Sequence, residues 1–443
     1  MKKALTIILI ILIIAAVGVG IYYFFDKQEG GGTGSFNITN YFPFGKSPET
    51  PPTSPNNTGN GTGNTTGTGV GPNGEVLPTP QLWQISTDPQ SGAVVFQTND
   101  ASSSTTAVRY LDRATGNVFE SKLSVFGQKR ISNTTIPKVY EALWLPKGNS
   151  LVLRYTSDDT DTIKSLYAKI VLPVKNVVVA NATSTTSATS TEISTEINNG
   201  DVLAELQGTF LPANISSLSI EPTGGKIFYL TPGQLVGSTG FVANADGGSA
   251  IQIFDSPLRE WLTSWPKAGT IALNTKPSGG ILGYLYFIDS KTGKFEKVLG
   301  GINGLTTLVA PNGLEVLYSE SGTSNTSFGV YTIKTALKQP LPLRTLPEKC
   351  VWSSRQESTI YCAVPKSMPS AKFPDAWYQG LVSFNDIVWK INISTGESEI
   401  VAEPVNLVEK EIDAINLILD QDEKYLVFTN KKNYQLWGLR ISK

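Results

Sequence analysis

Histidine is absent from the 443 residues, and this excludes more chemistry than any residue present supplies. Without imidazole there is no Ser-His-Asp or Cys-His relay and no histidine ligand for zinc, and no side chain has an unperturbed titration between about pH 5 and 8. Acid–base chemistry would have to come from carboxylates, Lys or Tyr. Acidic runs occur at Asp158-Asp159-Thr160-Asp161 and Asp420-Gln421-Asp422-Glu423, with oxygens spaced as at the start of a calcium loop. Both lack the sixth-position Gly and distal Glu of such a loop, so they read as solvated turns and no metal is expected. Glycoside hydrolysis needs two carboxyls ~5 to 10 Å apart across a funnel, an arrangement that linear spacing does not reveal. There is no Walker loop, no G-x-G-x-x-G that opens a helix and no G-x-S-x-G elbow, so no cofactor is expected.

Two constellations remain. From 366 to 386 the chain gathers Phe373, Asp375, Trp377, Tyr378, Gln379 and Phe384 in a stretch without strand alternation. Long aromatic loops are ordered and often functional. Trp and Tyr bring large rigid contact area at small entropic cost. These six residues are therefore the expected binding surface, the alternative being that the loop caps the end of the scaffold or packs over its own sheet. The second constellation is Cys350 and Cys362. If Val351-Trp352 and Ile360-Tyr361 are facing strands closed by the polar turn 353–358, the two cysteines are directly opposed. A non-hydrogen-bonded pair has Cα atoms ~4.5 to 5.5 Å apart, within reach of a disulfide.

The elements that position these groups are announced by repetition. A turn rich in Pro, Gly, Asn and Asp leads into an apolar run at 88–96, 145–153, 221–229, 265–273, 310–318 and, more loosely, 420–428. A second label, a Thr-Gly turn, follows strands at 110–116, 287–293 and 389–396. Self-similarity at ~40 to 50 residues with β-rich units is the signature of a propeller, whose blades bury their faces only by stacking. The fold expectation is all-β, with seven blades near 80–125, 139–208, 215–256, 258–300, 304–345, 347–402 and 411–442; six or eight are the alternatives. The Ser/Thr tract 181–199 reads as a disordered tip within the second blade. Most of the Trp residues fall in strands and read as core, with Trp377 the exception.

Ahead of the propeller, Lys2 and Lys3 precede an uncharged run from Ala4 to Phe25, long enough at ~1.5 Å per residue to cross the ~30 Å bilayer core. The positive-inside rule keeps the N-terminus cytoplasmic and the rest extracytoplasmic. The expected organisation is a transmembrane signal anchor over 1–25, a disordered linker rich in Gly, Thr, Asn and Pro over 26–78, and a propeller over 79–443. With no cysteine before Cys350, lipid attachment near the anchor is not expected. A net charge of -1 gives no basic face for phosphates, so nucleic acid is not an expected partner.

The repeat turns resemble those of the WD40-like and TolB-like β-propeller families, whose blades carry an S-P-D-G-like turn before an apolar strand. Pro and Gly are kept in several copies, Asn312 or Lys147 replaces the Asp, and no Gly-His or Trp-Asp dipeptide occurs. The run 373–380, with Ser383-Phe384-Asn385-Asp386 and Trp389, is also similar to a segment of uncharacterised bacterial envelope proteins with one N-terminal anchor. The resemblance implies a binding or scaffolding role, although fold alone assigns no function. The functional expectation is thus a membrane-anchored, extracytoplasmic, non-catalytic platform for a protein or glycan partner. The alternatives are a carboxylate-dependent hydrolase or lyase of envelope polysaccharide, and a structural spacer or surface-assembly subunit.

Overall fold

Short runs of alternating apolar and polar residues, broken by turn residues, give strands that cannot bury their faces singly and must pair and stack. The computed structural model describes residues 79–442 except 101–102, 158–161, 173–202, 235 and 323–325. All of these belong to one unit, Thr66–Lys443. The expected anchor and linker, the run 158–161 and the tract 181–199 lie outside the described residues. Among the described residues no helix is long and apolar enough to cross a membrane.

The strands form seven antiparallel four-stranded sheets. Blades 1 to 6 are contiguous in sequence, over 90–130, 139–210, 217–256, 261–303, 306–340 and 350–402. First strands of neighbouring blades touch one another, as Gln90–Asp100 does Val139–Trp144 and Ser217–Ile220 does Trp261–Lys267, so they line the axis. Because strands alternate in direction, one face, here the top, carries the turns between second and third strands and the links between blades. The bottom face carries the remaining turns. The core lies between blades: Leu111 and Val118 of blade 1 pack with Val139, Trp144, Leu151 and Leu153 of blade 2. Phe228 and Phe254 of blade 3 pack likewise with Trp261, Ile271 and Ile288 of blade 4.

The repeated phrase has a local cause. In blades 2 to 5 it joins the first strand to the second, and Gly148, Gly224, Gly269 and Gly313 take positive φ there. Glycine adopts that conformation without the Cβ penalty other residues meet. The Thr-Gly label is a side-chain-capped turn, in which the backbone N–H groups of Thr115, Thr292 and Thr395 donate to Asp112, Asp289 and Asn392.

Two assignments change. Leu82–Gln84, expected in the first blade, pairs instead with Gln435–Arg440 and becomes the fourth, outermost strand of blade 7, which otherwise has only three strands. Blade 1 therefore begins at Gln90, and its phrase at 88–96 lies on a first strand rather than a second. The ring of four-stranded blades is complete only when its last sheet has all its strands, and the N-terminal strand completes it here. The run 420–423 also differs from a solvated turn. Asp420 is buried and accepts from the Tyr425 N–H, while buried Glu423 accepts from Ser353 and from the N–H groups of Ser354 and Arg355, tying blade 7 to blade 6. The disulfide is as expected: Cys350 pairs with Cys362, Val351 with Tyr361 and Trp352 with Ile360, and the cysteine Cα atoms are 4.1 Å apart.

Trp83 of the closing strand is buried and meets Tyr425 edge-on at 6.1 Å. Trp83→Ala should cost about 3–5 kcal/mol in urea unfolding, as for large-to-small changes in a packed core. Replacing Cys350 and Cys362 together by Ala should cost about 2–3 kcal/mol under oxidising conditions and nothing once the parent is reduced. Equal stability of oxidised parent and double variant would refute the structural role of the bond.

Candidate functional site

The 366–386 loop connects the second and third strands of blade 6 and therefore stands on the top face. It is folded, not floppy. Asp375–Tyr378 forms a single helical turn, and Phe373, Trp377 and Phe384 are buried together with Leu346. Ile415 of blade 7 packs against the same cluster. Trp377 and Phe384 stack with centroids 6.0 Å apart.

Polar contacts bolt this cap to three blades. On the blade 4 side, the Asp375 carboxylate accepts from Ser278 Oγ at 2.7 Å and from the Gly279 N–H at 2.5 Å. Burial pushes the Asp375 carboxyl up, but the bonds from Gly279 and Ser278 outweigh it and hold the group below its ordinary value. Gly279 is required for the approach, since a Cβ there would lie 2.5 Å from the Phe373 carbonyl oxygen. On the blade 7 side, Asp413 Oδ2 accepts from Trp377 Nε1 at 3.0 Å and from the Phe384 N–H at 3.1 Å. Lys431 Nζ donates to the Trp377 carbonyl at 2.7 Å, and burial pushes its ammonium below the usual lysine value. On blade 6 itself, the Tyr378 hydroxyl bonds to Glu348 Oε1.

Beneath these contacts lies a fully buried charge cluster. Lys349 Nζ donates to Asp386 Oδ2 at 2.8 Å, to Asp413 Oδ1 at 2.5 Å and to the Ala414 carbonyl at 2.9 Å. The ammonium also faces the rings of Trp377 and Phe384, at 5.4 and 5.2 Å from their centroids. Lys349 belongs to the 3-10 turn Pro347–Lys349 that enters blade 6, Asp386 begins the third strand of that blade, and Asp413 precedes the first strand of blade 7. The cluster thus joins the C-terminal end of the cap and the entry to blade 6 to the next blade.

Glu348, the partner of the Tyr378 hydroxyl, borders a cavity of about 120 Å³ on the axial side of blades 4 and 5, lined also by Thr263, Asn274, Thr306 and Thr307. Binding sites for drug-sized ligands run to roughly 300–1,000 Å³, so this space suits water or a very small solute. Of its lining residues Glu348 alone carries a carboxyl. Asp386 and Asp413 are occupied by Lys349, so the facing pair that a glycosidase needs is not assembled in this cavity. Among the described residues no group of acidic or Cys side chains is arranged to hold a metal ion.

The six residues expected at the site therefore divide by role. Phe373, Trp377 and Phe384 form the inside of the cap, and Asp375 ties it to blade 4. Tyr378 and Gln379 are on its outer side, next to Leu381, which is 74 % exposed. Lys349, Asp413 and Glu348 escaped sequence reading because they sit in unremarkable links between blades. The one signal available was a lysine beside Cys350 that had to turn inward with it.

No protein-family profile and no curated protein matches this chain. Solved propellers are similar in fold. An oligogalacturonate lyase in complex with manganese is 11% identical with a TM-score of 0.47, covering 80% of this chain and 98% of its own. TolB from Acinetobacter baumannii is 9% identical with a TM-score of 0.38, and the match covers 79% of this chain and 63% of TolB. The Neurospora crassa Pan2 WD40 domain is 10% identical with a TM-score of 0.44, covering 82% and 98%. This chain is a seven-bladed propeller by its own strand order.

Burial raises the Glu348 carboxyl above its ordinary value of 4.5, with the Tyr378 bond and Lys349 opposing the rise. A carboxyl raised on folding holds its proton more tightly in the native state. Its contribution is therefore fully present below the unfolded value and is lost as pH climbs through the folded one. Glu348→Gln should flatten the fall in urea midpoint that the parent shows as pH rises from about 4.5. Parallel pH profiles for parent and variant would show that Glu348 does not supply it.

Proposed function

We propose that this protein is a non-catalytic binding platform, anchored in a membrane by its N-terminal segment, whose top face engages a protein partner outside the cytoplasm. The observation that carries the reading is an apolar rim on that face. Ile281 and Leu282 are 62% and 51% exposed and follow the Ser278-Gly279 turn, to which Asp375 ties the cap bearing Leu381. Exposed apolar side chains that form one contiguous patch mark interaction surfaces. The most exposed of these side chains are aliphatic, with the Tyr378 ring less exposed, and this favours a protein over a glycan, which would stack its sugar faces on rings.

Chain direction supports the same reading. Residue 79 enters at the bottom face, where Ile441 near the other end donates to the Lys424 carbonyl. The top face is thus the one turned away from where the polypeptide arrives. The carboxylate-hydrolase alternative has no open carboxyl pair to support it in the axial cavity.

A photo-crosslinking residue placed at Leu381 or Ile281 in intact cells should give a discrete adduct that the same residue at exposed Leu337, on an outer strand of blade 5, does not. Leu381→Asp should reduce that capture at least about tenfold, the loss expected when a charge enters an apolar contact. Equal adducts from all three positions, or none, would reject the top face as the contact surface. Protease added outside intact cells should remove the propeller; full protection would reject the extracytoplasmic placement.

A further inference from the structure

Lys349, Asp386 and Asp413 are all buried to 0 % exposure, and together they would carry one net negative charge away from solvent. Each buried charge costs several kcal/mol unless its partners are complete. The two carboxyls are unequal. Asp413 is fully engaged, with Lys349 on Oδ1 and the Trp377 and Phe384 N–H groups on Oδ2. Asp386 receives Lys349 and the Ala414 N–H on Oδ2, while its Oδ1 has no partner at all. Burial drives the Asp386 carboxyl up to about 6 against the pull of Lys349, with Asp413 adding to the rise. One acid that accepts a proton readily, one carboxylate that holds two fixed donors and one amine between them are the components of an amide condensation.

We propose that Lys349 and Asp386 condense within the folded chain to an isopeptide bond, with Asp413 as the proton carrier, so that the root of the cap is covalently closed. Lys349 passes a proton to Asp413 Oδ1, and the amine lone pair attacks Cγ of the protonated Asp386. The Ala414 N–H, 2.7 Å from Oδ2, donates to that oxygen as it takes up negative charge in the tetrahedral intermediate. The Cγ–N bond forms and the Cγ–Oδ1 bond breaks, with Asp413 returning a proton to the departing hydroxyl. The four protons of the ammonium and the acid end as one on the amide nitrogen, two on the released water and one on Asp413. No electrons are transferred, and no co-reactant is needed.

The atom expelled is the one that lacked a partner. The remaining oxygen keeps the Ala414 N–H, and the new amide N–H points at Asp413, so two buried charges and one unsatisfied acceptor are removed together. The Ala414 carbonyl gives up its ammonium donor in exchange. Holding amine and carboxyl in contact makes the step intramolecular, which supplies the large effective concentration such a reaction needs. The surrounding rings of Trp377 and Phe384 keep the competing water away.

Mass spectrometry of the reduced, denatured full chain decides the matter. The wild-type protein should be lighter than its sequence by one water, about 18 Da, and a proteolytic map should contain a peptide pair joined through Lys349 and Asp386. Lys349→Arg and Asp413→Asn should each return the map to unlinked peptides while far-UV circular dichroism stays β-rich. A wild-type map showing both peptides unlinked at full mass overturns the proposal, and that measurement stands even if a variant fails to fold. A mass deficit that survives Lys349→Arg, or a link to Asp413 in place of Asp386, overturns it equally.

Discussion

Closure of the ring is the constraint on which the rest of the molecule depends. A propeller blade has no complete core of its own, because its apolar faces are covered only by the blades on either side. Blade 7 supplies three strands, and the fourth comes from Leu82–Gln84 at the far end of the described sequence. Three residue pairs therefore hold in register a circuit of more than three hundred residues. Buried Trp83 adds area to that short ladder, packing over Gly438 where any larger residue would strike its ring.

The cap makes a second closure on the top face by different means. Its interior is aromatic, but its attachments are polar and reach blades 4, 6 and 7. A loop held only by rings could slide. Asp375 and Asp413 each fix a backbone N–H together with a side-chain donor, which sets the loop's height and angle. The result is a rigid surface whose outward residues differ from the rings that make it rigid.

Much of the architecture was legible because glycine geometry is local. The recurring Gly of the first turn in blades 2 to 5 is dictated by positive φ, so the period appears in the chain before any contact is known. The cysteine register was legible for the same reason, since two short strands about a tight turn admit few pairings. Non-local choices were not legible. Nothing in Leu82-Trp83-Gln84 says that its partner lies at Gln435–Arg440, and in blade 1 the turn phrase fell one strand early. In the loop, residue type identified an ordered aromatic cluster but not which ring faces inward. That depends on Asp413 and Lys349, residues contributed by distant links.

Both ends of the described chain leave the bottom face beside the same seam. A pull arriving through residue 79 would pass the Thr79 and Gln81 hydrogen bonds and then fall on the Leu82–Leu439 pair, and so on the very ladder that shuts the circuit. Load along the strand must shear all three pairs at once, whereas load across it peels them one after another. The seam is therefore the mechanical fuse of the domain. The direction of tension, more than its size, decides whether the circle stays shut.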